Sequence, residues 1–172
     1  MEDPKGLLDQ IEKRELNPCH VFMASFLAGL HSMGMLNQAT VTVAARGAGR
    51  KMALYLQAKG DLPPLRGTLM EKAATLIEHL QKVMPLGMQV QVEVKGDEVE
   101  VKVEGATCKF CPKGVGGAEL EGTLCPYPAL LASFADALLS SEGGIKVKPQ
   151  GRRPLVKEAG VCKMVLYRAQ AR

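Results

Sequence analysis

The stretch Met88–Gly105, MQVQVEVKGDEVEVKVEG, decides the fold class. Apolar and polar residues alternate through Met88, Val90, Val92 and Val94, then again through Val99, Val101 and Val103. A strand sends successive side chains to opposite faces, so this pattern predicts two strands that share one buried face. KGDE between them supplies the turn. The opposite face carries Gln, Glu and Lys, as a solvated sheet face should.

Outward from the hairpin the period changes. Leu69, Ala73, Leu76, Ile77, Leu80 and Val83 recur at helical spacing in LMEKAATLIEHLQKVM. NPCHVFMASFLAGLHSMGM predicts a helix opened by Asn17 and Pro18 and closed at Gly34. It is apolar nearly all round, which suits a central helix or one shared with a second subunit. NQATVTVAARGAGRKMALYLQAKG predicts another helix from Asn37. Gly47 and Gly49 inside it weaken the helix, so a backbone or ligand is expected to come close there. Residues 4–15 form a short amphipathic helix. PYPALLASFADALLSSEGG reads as a late helix, and IKVKP and VCKMVLYRA as two further strands. The expectation is an α+β domain, N-terminal helices on an antiparallel sheet of about four strands, with a cysteine-rich metal loop. Residues 1–16 read as an extension and 17–172 as one domain.

Composition narrows the function. With four Phe, three Tyr and no Trp, stacking platforms for single-stranded nucleic acid are scarce, and nucleic acid is not an expected partner. The formal net charge of +4 is uneven: Ile145–Arg172 carries eight Lys/Arg against Glu158 alone. A basic ending of this kind suits an acidic partner or a protected sheet edge. The start is polar and the most apolar stretch, Cys19–Leu36, is broken by His20, Ser25, His31 and Ser32. Neither a secretory signal nor a membrane span is expected, and the chain reads as cytoplasmic.

Cysteines in that compartment stay reduced, which favours metal over disulfides. Cys108 and Cys111 form a CxxC pair at a strand exit, and Cys125 stands just before a helix, where a thiolate is favoured. Cys162, on the last strand, is the best fourth ligand for a structural zinc. Glu119, Glu121 and Glu158 are alternatives, and four cysteines also suit an iron–sulfur cluster. The glycines in KGVGGAE lack the Gly-Lys-Ser/Thr ending of a phosphate loop. No acid–base or nucleophile constellation stands out, so an enzyme is not the expected reading.

AGRKMALYL, EGTLCPYPALLASFADALL and KEAGVCKMVLYR resemble the 4-vinyl reductase domain family. Its superfamily includes TRAPP trafficking subunits and the aromatic-hydrocarbon sensor domains of transcription activators. Cys125 matches the cysteine before the late helix of those sensors, and Glu158, Gly160 and Cys162 match their acid–Gly–Cys pattern. The cysteine that follows the acid in the sensors has no counterpart near Glu158, and the CxxC pair stands in for it. The resemblance implies a homodimer and a zinc beside an apolar pocket for a hydrocarbon-like ligand. Walls from Phe22, Phe26 and Met52, with His31 or Arg50 as the polar group, are the expected ligand site. The alternative is a dimeric scaffold.

Overall fold

The computed structural model describes residues 4–112, 115 and 124–169. Four helices come first: α1 (Pro4–Lys13), α2 (Pro18–Ser32), α3 (Gln38–Lys59) and α4 (Leu69–Val83). The hairpin follows as β1 (Val90–Lys95) and β2 (Glu98–Glu104), then α5 (Tyr127–Leu139), β3 (Gly144–Val147), β4 (Val156–Glu158) and β5 (Val161–Ala169). Three helix starts carry reciprocal caps. Asn17 Oδ1 accepts from the His20 N–H while His20 Nδ1 accepts from the Asn17 N–H, and Asn37 with Thr40 and Thr68 with Glu71 repeat the motif.

All strand pairings are antiparallel, in the order β1-β2-β5-β3, with β4 beside β3 on the same edge of β5. The sheet therefore has five strands rather than about four. The extra strand, β4, is three residues long and is set by the tight turn at Ala159 and Gly160. Both have left-handed φ, +47° and +82°, as a type I′ hairpin requires.

Register fixes the two faces. Val99, Val101 and Val103 stand opposite Leu166, Met164 and Cys162, so Cys162 belongs to the core face. That face packs on α4 and α5, with Leu76, Ile77, Leu80, Leu131 and Phe134 fully buried. On the other face Glu93 lies opposite Glu100, a repulsive pairing. Lys95 and Lys102 sit 2.7 and 3.1 Å from Glu100 Oε1, and Lys163 is 2.6 Å from Oε2. Their stems cover Glu100, which is only 5% exposed.

α3 lies across α5, away from the sheet. The close approach expected near Gly47 and Gly49 occurs at Gly49 alone. A β-carbon there would overlap the Leu130 carbonyl oxygen and Ser133 hydroxyl of α5, whereas among the described residues nothing lies within 4 Å of one at Gly47. α2 buries its small side, Ala24 and Ala28, together with His20. Its large residues face outward: Phe22 is 64% and Phe26 50% exposed, and their rings stack at 5.9 Å. No helix among the described residues is long and apolar enough to cross a membrane.

Candidate metal centre

Three separate parts of the chain carry cysteines to one place. β2 ends at Glu104 and a single 3₁₀ turn, Gly105–Thr107, delivers Cys108. The Gly105 N–H donates to Gly160 O at 2.7 Å, which holds this exit against the β4–β5 turn. A β-carbon on Gly105 would stand 2.9 Å from Gly160 O and 3.9 Å from Cys162 Sγ. Only glycine lets the exit lie this close to the last strand. Cys111 follows at the end of the turn, and Cys125 stands two residues before α5.

Cys108, Cys111, Cys125 and Cys162 line one cavity of about 500 Å³, walled by Phe110, Tyr127 and Leu155. Cys19 lies apart, exposed on α2. Lys13, Arg14 and Lys157 bring positive charge to the lining, and no carboxylate joins it among the described residues. Of the alternative fourth ligands, Glu119 and Glu121 fall outside the described residues. Glu158 is exposed and pairs with Val161, so the strand alternation turns it away from the face that Cys162 shares with Lys157.

The thiols influence one another. Burial, and then the charge of Cys111, pushes Cys108 up to about 11. Burial, then Cys108, pushes Cys125 well above the ordinary thiol value. Burial at Cys125 thus opposes the thiolate that the helix N-terminus favours. Burial also raises Cys162, with Lys157 opposing it. A bound cation reverses this balance, since coordination deprotonates a thiol outright.

The donor set fits a thiophilic metal. Among the described residues no three Cys, His, Asp or Glu side chains stand ready-arranged around one metal ion. The four thiols that line the cavity match in chemistry the zinc implied by the resemblance.

The N-terminal segment supplies contacts that the sequence did not reveal. Arg14, 3% exposed, donates from Nη1 to Cys111 O at 2.9 Å and Cys108 O at 3.4 Å. Lys109 Nζ donates to Glu15 O at 3.2 Å. His20 meets the Phe110 ring edge-on at 4.8 Å, and Phe110 meets Tyr127 at 5.7 Å. Arg14 carries no sequence signal beyond ending an amphipathic helix, and Tyr127 none beyond following a cysteine. The structure does not gather the expected ligand residues. Phe22 and Phe26 stand on the outer side of α2, His31 is half-buried in its last turn, Arg50 is exposed on α3, and Met52 packs against the core. None of the five lines the cysteine cavity.

Comparison with known proteins places the chain among archaeal relatives. The uncharacterized protein MJ1342 of Methanocaldococcus jannaschii is 35% identical over 66 residues, which span 38% of this chain and 57% of that protein. The chain thus covers little more than half of that relative. The uncharacterized protein MJ0207 of the same organism is 23% identical over 147 residues, 82% of this chain and 89% of the relative. The model of the MJ0207 family matches residues 34–168, which takes in all four cavity cysteines and leaves α1 and α2 outside. The chain belongs to the MJ0207 family.

Proposed function

We propose that the chain is a binding domain organised around one thiolate metal centre, held by Cys108, Cys111, Cys125 and Cys162. The observation that carries this is that four of five cysteines, from three distant parts of the sequence, line a single cavity. The centre would join the β2 exit, the start of α5 and the core face of β5. Structural metal of this kind contributes to folding directly. The resemblance to the 4-vinyl reductase domain supports a role in binding a small apolar molecule. In this chain that molecule would share the cysteine cavity, against Phe110 and Leu155, instead of lying on α2. The test is metal content by elemental analysis of protein purified without chelator. Cys108→Ser and Cys162→Ser should each lower occupancy severalfold while Cys19→Ser leaves it unchanged. Full occupancy in both cavity variants would reject the reading.

A second reading, a dimeric interaction protein, is favoured by the outward apolar residues of α2 and α3. Met33, just past α2, is 64% exposed, and Val43 and Leu54 on α3 are 70% and 63% exposed, a large apolar surface for a lone chain. Light scattering at micromolar concentration should give twice the chain mass, and Phe22→Glu with Phe26→Glu should halve it. A wild-type monomer would reject it.

A further inference from the structure

We propose that the four cysteines hold an iron–sulfur cluster and not a lone zinc ion. This rests on the four-thiolate reading and specifies what the thiolates bind.

Spacing is the first ground. A tetrahedral zinc draws four sulfurs to about 2.3 Å from one point. Here four cysteines share the cavity, yet among the described residues no three metal-ligating side chains converge on a point. In a cluster each thiolate binds a different part of a polynuclear body, so cysteines distributed around a cavity of about 500 Å³ suit it.

Tyr127 is the second and independent ground. It is 5% exposed and lines the same cavity. Its hydroxyl has no hydrogen-bond partner among the described residues. Buried hydroxyls are nearly always hydrogen-bonded, to protein, to ordered water or to a bound group. A zinc bound by four thiolates adds no acceptor beyond the cysteine sulfurs, and none of these is within hydrogen-bond reach of the hydroxyl. A cluster brings its own sulfides. The surrounding charge agrees: Lys13, Arg14 and Lys157 line the cavity, and a cluster with four thiolates is anionic. Charge alone would suit a zinc tetrathiolate equally, so spacing and Tyr127 decide.

The experiment is anaerobic purification of the full chain, followed by iron, zinc and acid-labile sulfide determination and electron paramagnetic resonance after dithionite reduction. The expected result is iron and labile sulfide in a ratio of about one, with a visible thiolate-to-iron absorption. One zinc per chain without sulfide overturns the cluster and leaves the four-thiolate reading standing. Neither metal, even after anaerobic incubation with ferrous iron and sulfide, overturns both. Tyr127→Phe tests the hydroxyl separately. With the circular dichroism unchanged, it should retain the cluster and shift its reduction potential to a more negative value, since a hydrogen bond to sulfur is lost. An unmoved potential overturns the role of Tyr127.

Discussion

Replacing Gly49 by alanine should destabilise the protein, although alanine is the better helix former. α3 lays Val41, Ala45, Gly49, Ala53 and Leu56 against the rest of the fold, all buried. A β-carbon at position 49 would overlap Leu130 O and stand 3.0 Å from Phe134 N, the two backbone atoms that close one turn of α5. The Ser133 hydroxyl can rotate away; the carbonyl cannot. Overpacking of a tight core costs about 1–3 kcal/mol, and a backbone obstacle puts this site near the top of the range. Alanine returns roughly 1 kcal/mol of helix propensity. The net loss is about 1–2 kcal/mol, or roughly 2–8 °C in Tm for a chain of this size. Gly47→Ala supplies the control two residues away. Among the described residues nothing lies within 4 Å of its β-carbon, so it should gain up to about 1 kcal/mol. Urea unfolding followed by far-ultraviolet circular dichroism, at fixed protein concentration and metal load, measures both. A Gly49→Ala protein as stable as the parent, or the same sign for both variants, would refute the packing argument.

Other perturbations read out the polar parts of the fold. Hydrogen bonds from Lys163, Lys95 and Lys102, against the opposing effect of burial, hold Glu100 at about 2, below its ordinary 4.5. A depressed carboxylate contributes stability above 4.5 that is lost as pH falls toward 2. With the lysines partly in water, about 1–2 kcal/mol should go, and Glu100→Gln should show that much less acid sensitivity in urea midpoints; equal pH profiles would count against it. Ala159, at φ +47° in the β4–β5 turn, should gain about 0.5–1 kcal/mol on replacement by glycine, and a lower Tm would deny the strain. Arg14→Met removes the two bonds to the carbonyls of Cys108 and Cys111. It should cost about 1.5–3 kcal/mol and speed metal release to a chelating dye; unchanged release would make Arg14 irrelevant to the centre.

The parts of the fold legible in the sequence were those with local causes. The hairpin alternation placed Val99, Val101 and Val103 on the core face, and Asn17 and Asn37 marked the starts of α2 and α3 through their caps. β4 was not legible, because three residues hold no period and its pairing is set by β5 and the turn. α2 misled for a different reason. A helix apolar on every side does not say which stripe is buried, and packing selected Ala24 and Ala28 over Phe22 and Phe26. At the candidate site, residue type named the four cysteines. The cations and Tyr127 came from tertiary placement, Arg14 from a point 97 residues before Cys111. No sequence pattern carries information of that range.

The central claim is that four thiolates bind one centre. X-ray absorption at the edge of whichever metal the anaerobically purified protein carries tests it most directly, by counting the atoms bound to that metal. The account predicts a shell of about four sulfurs, with metal–metal scattering if the centre is a cluster. A shell dominated by nitrogen or oxygen would contradict it.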